Sequence, residues 1–297
     1  MSVEPTAIER PPLQRLATEI GRQERLDEPA RRILDLAHSA LRPGTVRDAL
    51  SGRFLGHTLH PPLTDVPIGS WTSAMVLDAV GGAGSDDAAR KLIGTGILAA
   101  LPTAVTGSVE WADSAEGRSS TRRIGLVHAA ANSTALALYS ASYLARRRGG
   151  SGRVLALAGG AALAVGGYLG GHLAYVNGDG VAATAFEEGP TEWTATISES
   201  ELPEGRPTCV VADRVPVLLV RQGERIRALA NRCNHRGGPL HEGRLGENTI
   251  TCPWHGSIFD LETGSVKHGP AASPQPLYEA RLRDGRIEVR EVGDPMP

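Results

Sequence analysis

From Val154 to Val176 the chain runs for 23 residues without one charged side chain, and from Leu92 to Val109 for eighteen. A helix of about 20 apolar residues, rising about 1.5 Å each, crosses a hydrocarbon layer roughly 30 Å thick. A helix in a soluble bundle would keep a polar face, and VLALAGGAALAVGGYLGGHLAYV has none. Two more apolar stretches, Val66–Gly84 and Ile124–Ala145, complete a set of four. The pattern predicts a four-helix transmembrane bundle within residues 56–176. Gly166 and Gly170, like Gly167 and Gly171, are four apart, which lets a neighbouring backbone approach closely. Pro102 is expected to kink the second span. Trp71, Trp111, Tyr139, Tyr143 and Tyr175 lie mostly near segment ends, where amphipathic rings favour the headgroup layer.

The net charge of −2 over 297 residues averages two unlike halves, and no nucleic-acid partner is expected. Residues 1–55 form an Arg-rich arm. Within it, Leu13–Leu26 and Glu28–Leu41 show helical apolar spacing, interrupted at Pro11-Pro12, Pro29 and Pro43-Gly44. It has no apolar core of the signal-peptide kind. Two amphipathic helices are expected there, lying on the membrane surface or on another domain, with no chemistry of their own.

The last hundred residues change character. Pro216–Val220, Arg225–Ala230, Asn248–Cys252 and Arg286–Val292 predict short strands between Gly- and Pro-rich turns, and Asp284-Gly285 is a hairpin signal. Here lies the sharpest chemical motif: Cys233-Asn234-His235, sixteen residues, then Cys252-Pro253-Trp254-His255. It offers two thiolates and two imidazoles on two loops. A Rieske [2Fe–2S] centre needs that set, with two Cys on one iron and two His on the other. A structural zinc ion is the alternative, although zinc modules more often pair C-x2-C with H-x3–5-H. Gly237-Gly238 and Gly256 permit sharp turns that aim backbone N–H groups at the sulfurs.

With Ser257-Ile258-Phe259-Asp260 and Thr263-Gly264 following, the CxH…CPxHG pattern closely resembles the Rieske ferredoxin family, over about Trp193 to Val292. The resemblance implies a [2Fe–2S] cofactor and makes Gly269-Pro270-Ala271-Ala272-Ser273-Pro274 similar to the proline loop that shields the cluster. High-potential members carry an extra cysteine pair, where this chain has Gly238 and Trp254, and a Ser and a Tyr, where it has Ser257 and Phe259. A ferredoxin-like centre is therefore expected, low to intermediate in a range of roughly −150 to +300 mV. His241 and His268 are expected to be surface histidines, and Cys209 has no mate for an internal disulfide.

The string His60-Pro61-Pro62-Leu63-Thr64-Asp65-Val66-Pro67-Ile68-Gly69, with the four apolar segments, resembles the bacterial membrane family known as domain of unknown function 2231, over about residues 55–180. That resemblance implies a membrane location and no activity. Four spans would gather polar residues at one face: His57, His60 and Asp65; Glu110 and Asp113; His128 and Asn132; His172 with Tyr168 and Tyr175. Three readings stay open for His60, His128, His172, Glu110, Asp65 and Asn132. They could bind haem b, hold a non-haem metal or line a quinone pocket, or hydrogen-bond helices together. Asp78 is expected to be paired inside the bundle, with a polar group of the second span.

The expected fold class is multidomain α plus all-β: a four-helix transmembrane bundle, a linker over 177–192, and a Rieske-type antiparallel β fold over 193–297. Sixteen linker residues extend at most about 55 Å, which keeps the cluster near the bilayer. The expected function is single-electron transfer between a membrane redox partner and a soluble or membrane acceptor, the partner being a protein or a quinone. Two rivals are a ferredoxin component of a Rieske-type oxygenase, with the spans as anchor, and a non-enzymatic redox or iron sensor. No self-contained substrate site is evident. Flanking arginines balance between the two faces. The arm and the lone thiol favour a multi-pass protein of the bacterial cell membrane with its cluster domain in the cytoplasm.

Overall fold

The computed structural model describes residues 11–42, 44–82, 84–115 and 118–293. Pro43 of the expected Pro-Gly break, and part of the loop between the second and third apolar segments, lie outside them. The described chain forms two compact units. One combines the residues up to Ala40 with Pro61–Asp179, and the other combines Leu41–His60 with the residues from Gly180 onward.

The first unit is helical. Its helices are α1 (Pro12–Arg22), α2 (Asp27–Ala40), α4 (His60–Val80, whose His60 falls to the second unit), α5 (Ser85–Ala115), α6 (Ser119–Arg147) and α7 (Arg153–Tyr175). Pro12 starts α1 where its missing N–H costs nothing. Of the four long helices, α5 and α7 are long and apolar enough to cross a membrane by length and composition. In α4 and α6 the apolar run is shorter, because α4 holds Asp65 and Asp78, and α6 holds Arg122, Arg123, Arg146 and Arg147.

Small residues set the packing of this unit. The rings of Trp71 and Tyr139 stack with centroids 4.4 Å apart. A Cβ on Gly96 would meet the Trp71 indole at 2.3 Å, and one on Gly159 would meet Tyr139 at 3.0 Å. Of the two glycine pairs in α7, Gly166 and Gly170 face Asn132 and His128 of α6, whereas Gly167 faces open space. Only the first pair serves helix approach within this unit.

Asp78 lies in the last turn of α4, because that helix ends at Val80, short of the end of the apolar stretch at Gly84. Its partner is Arg146 of α6, whose side chain is 3% exposed, and not a group of α5; Arg153 is a second cation, at 3.7 Å. The arm helices pack onto this unit. Asp27 bonds Arg122 at 2.8 Å and Arg123 at 2.6 Å, Arg123 also donates to the Gly21 carbonyl, and Ala17 packs with Ile124 and Leu169. The two arginines, expected only to flank a span, are what the arm is pinned to.

The second unit is built on two antiparallel sheets. One has the order β1-β10-β9-β4-β3-β2, with β1 Thr194–Ser198, β2 Thr208–Ala212, β3 Val215–Gln222, β4 Arg225–Ala230, β9 Leu277–Arg283 and β10 Arg286–Glu291. The other has the order β5-β6-β7-β8: Arg244–Leu245, Thr249–Thr251, Ile258–Asp260 and Val266–His268. Strand β3 is buried on both faces, so its alternation serves two cores: Val217 and Leu219 enter one, Leu218 and Val220 the other. The second core includes Leu229, Leu240, Ile250, Phe259, Cys233 and Cys252. Asp284 and Gly285 both take positive φ and turn the β9–β10 hairpin as expected. The segment before α4 also belongs here. It contains α3 (Thr45–Leu50) and a short turn of helix, Arg53–Leu55.

Candidate metal centre

Two loops with the same internal logic form the site. In the first, after β4, the Gly237 N–H donates to the Cys233 carbonyl (2.7 Å) and the Cys233 N–H to the Gly238 carbonyl (2.8 Å). In the second, between β6 and β7, the Gly256 N–H donates to the Cys252 carbonyl (3.2 Å) and the Cys252 N–H to the Ser257 carbonyl (2.8 Å). Gly237 and Gly256 sit at φ of 78° and 77°, which a side chain resists. Such tight loops turn backbone N–H groups onto sulfur: those of His235 and Arg236 onto Cys233, and those of Trp254 and His255 onto Cys252.

The sulfurs of Cys233 and Cys252 lie within hydrogen-bonding reach of each other. That contact, joined by the two N–H groups, holds the Cys252 thiol below the ordinary thiol range against the burial that opposes it. The rings of His235 and His255 lie edge to face with centroids 5.1 Å apart. The structure thus brings all four expected residues together as a thiol pair and an imidazole pair. Among the described residues, no three His, Cys, Asp or Glu side chains converge as a single-ion site. Two-by-two grouping suits two irons, one held by each pair, better than one zinc held by four.

Two observations test the fit further. The His235 Nδ1 is buried with no hydrogen-bond partner, a costly state that a metal would relieve. Burial first, then the charges of His255, Arg236 and Arg47, push the His235 imidazole down to about 3, so it stays neutral and able to ligate. Gly238 is confined for a separate reason. A Cβ there would stand 2.8 Å from the Cys252 sulfur and 3.1 Å from the Trp254 ring. Trp254 itself is 55% exposed beside His255 and forms part of the outer edge.

The 269–274 segment is expected beside the site by resemblance, but sequence reasoning missed the bonds that make it a brace around these loops. The Asn234 side chain donates to the Ser273 and Pro274 carbonyls, and Gln275 accepts from the Asn234 N–H and donates to the Ala230 carbonyl. The Ser257 hydroxyl accepts from the Ala271 N–H at 3.0 Å. Segment 269–275 is thereby tied to both loops. Phe259 is fully buried in the core between the sheets. His241 is half-buried and bonds Asn231, and His268, at the surface as expected, meets the Asp48 carboxylate at 3.0 Å. Nothing in their sequence neighbourhoods signals these pairings.

The polar residues expected at one membrane face fare differently. His128 donates from Nδ1 to the Gly166 carbonyl at 2.8 Å, and Asn132 lies against the same ring and the His128 carbonyl. His172 is buried, with the Tyr168 ring 6.4 Å away. Asp65 is exposed, and His60 and Glu110 are half-buried. For His128 and Asn132 this is the hydrogen-bonding alternative.

Residues 192–279 match the family described as Rieske [2Fe-2S] domain, and residues 56–183 match the predicted membrane proteins of DUF2231. The chain is 32% identical to the anthranilate 1,2-dioxygenase ferredoxin subunit of Burkholderia cepacia over 98 residues, which are 33% of this chain and 91% of that one. It is 44% identical to a human Rieske domain-containing protein over 108 residues, 30% of this chain and 68% of the other. A solved structure, the ferredoxin of carbazole 1,9a-dioxygenase from Nocardioides aromaticivorans IC177, aligns at 29% identity with a TM-score of 0.32, covering 33% of this chain and 95% of that one. A [2Fe–2S] cluster follows from the first match; none of these relatives lends support to a haem or a quinone in the helical unit.

Proposed function

Because the chain belongs to the Rieske [2Fe-2S] domain family through residues 192–279 and to the DUF2231 predicted membrane proteins through residues 56–183, we propose that it is a membrane-tethered one-electron carrier. Cys233 and Cys252 would hold one iron, and His235 and His255 the other. When bound, such a cluster takes up and releases single electrons. The observation that carries this reading is the pairing itself: two sulfurs in contact, two rings edge to face, and a buried imidazole nitrogen without a partner.

The residues around the site do the rest. N–H groups of His235, Arg236, Trp254 and His255 stabilise negative charge on sulfur, which favours the reduced state. Half-buried His235 and His255, beside exposed Trp254, form the edge that meets a donor or acceptor. In the helical unit α4–α7 span the bilayer. Exposed Leu98, Leu101 and Val105 of α5, and Val154, Leu157 and Val165 of α7, support lipid contact. The cluster domain lies in the cytoplasm.

A second reading concerns the acceptor. A relative matched over 91% of its length is a dioxygenase ferredoxin subunit, which favours an oxygenase as the protein that takes the electron. The test is EPR on membranes from cells making the full chain. A Rieske signal that appears on dithionite reduction and stays in the pellet after alkaline carbonate washing is expected. A signal that leaves with the wash removes the tether, and no signal removes the carrier.

A further inference from the structure

The segment before α4 takes part in the cluster site, although some 220 residues of chain separate it from its partners. Asp48 of α3 is 7% exposed. Its Oδ1 accepts from the Gly269 N–H at 3.0 Å, and its Oδ2 meets the His268 Nδ1 at 3.0 Å. Arg53 follows one short turn later. Its guanidinium lies 3.6 Å from Asp48 and donates to the Lys267 carbonyl. Three consecutive residues, Lys267, His268 and Gly269, are thus gripped by one short stretch, Asp48–Arg53.

Those three residues lead into segment 269–275, whose inner side is fastened to both ligand loops by Ser257, Asn234 and Gln275. Val266–His268 are held as strand β8 against β7, but the chain leaves that ladder at Gly269, and from there a brace tied on its inner side alone could swing away. A buried carboxylate there removes that freedom, because leaving it without its donors would cost the desolvation of a charge.

We propose that Asp48 is a positioning residue for the metal centre: with Arg53 it makes residues 44–55 an outer strap that holds the 268–275 brace closed over the two ligand loops. The proposal rests on the one-electron carrier reading only for its consequence, protection of the bound cluster. The strap itself stands on the contacts of Asp48.

The experiment uses the full chain in detergent, as wild type and as Asp48→Ala, Asp48→Asn and Asp48→Glu. Amide hydrogen exchange is read at Gly269 and Ala271 against Leu218 and Val289 of the large sheet. Loss of charge-assisted bonds is expected to speed exchange at Gly269 and Ala271 by at least about tenfold in Asp48→Ala, with the sheet unchanged. Asp48→Asn, which keeps the shape, is expected to fall between, and Asp48→Glu to restore most protection. The second readout is the rate at which a chelator bleaches the cluster's visible absorbance, expected to rise in the same order. Exchange at Gly269 and Ala271 that matches wild type in both Asp48→Ala and Asp48→Asn overturns the strap, as does a loss of protection shared equally by the sheet. Protein without any cluster would count against the carrier reading, while exchange would still decide the strap.

Discussion

Two imidazoles, one in each unit, meet opposite surroundings. His128 of α6 donates from Nδ1 to the Gly166 carbonyl at 2.8 Å, with the Asn132 amide against its ring. His235 has its Nδ1 buried with no hydrogen-bond partner, beside a second histidine and a pair of sulfurs. Both residues sit next to glycine-rich backbone, and both are candidate ligands in the sequence, His128 by residue type and His235 by the spacing of its motif. The difference is satisfaction. An imidazole bonded to a carbonyl joins two helices, whereas a buried one left open is costly until a metal takes it. Carboxylates do not divide this way, for Asp27 and Asp78 of the helical unit are paired with arginines and so is Asp48 of the other.

The largest expected effect breaks the second half of that contrast. Cys252→Ser removes the sulfur that gathers the Cys233 thiol and two N–H groups, and is expected to abolish cluster incorporation, read as absent visible absorbance and EPR signal. Arg146→Ala, in the helical unit, takes the buried partner from the Asp78 carboxylate and leaves it Arg153 at 3.7 Å, and is expected to cost up to about 3 kcal/mol, seen as a lowered melting temperature. Cluster content per folded chain should not change. His128→Leu removes one bond between helices and is expected to cost about 1 kcal/mol or less, again with an unaltered EPR spectrum. A changed spectrum in that variant would erase the distinction between the two histidines.

The smallest effect is one of pH. Hydrogen bonds from Arg123 and then Arg122 hold the Asp27 carboxyl well below the usual carboxylate range. A depressed folded-state value means the contact contributes fully above the ordinary carboxylate pKa, about 3.9, and is lost as pH falls below it. Protease cleavage within residues 12–40 is therefore expected to be slow from pH 5 to 8 and to quicken in acid. Asp27→Asn should abolish that quickening in acid, leaving cleavage no faster there than at pH 5 to 8.

The metal centre was legible because its chemistry is local. Cys233, His235, Cys252 and His255 fall within two short windows whose spacing carries the signal, and Gly237 and Gly256 mark the turns. The 269–274 loop was legible by resemblance but its bonds were not, because Asn234, Ser257 and Gln275 act through loop geometry with no period to read. Asp48 was beyond reach for a plainer reason: its partners lie some 220 residues on, in the other half of the sequence. Boundaries failed where hydrophobicity and helix geometry part company. The α4 helix begins at His60 because prolines fit a first helical turn, whereas the apolar run begins at Val66, and it ends at Val80, which puts Asp78 in its last turn. Strand β7 spans three residues, too few for an alternation to show.

Metal and sulfide analysis of the anaerobically purified full chain tests the central claim most directly. Two irons and two acid-labile sulfides per chain, with both lost together in Cys252→Ser, are the result expected of a thiol pair and an imidazole pair that each hold one iron. A colourless protein with a single zinc per chain would contradict it.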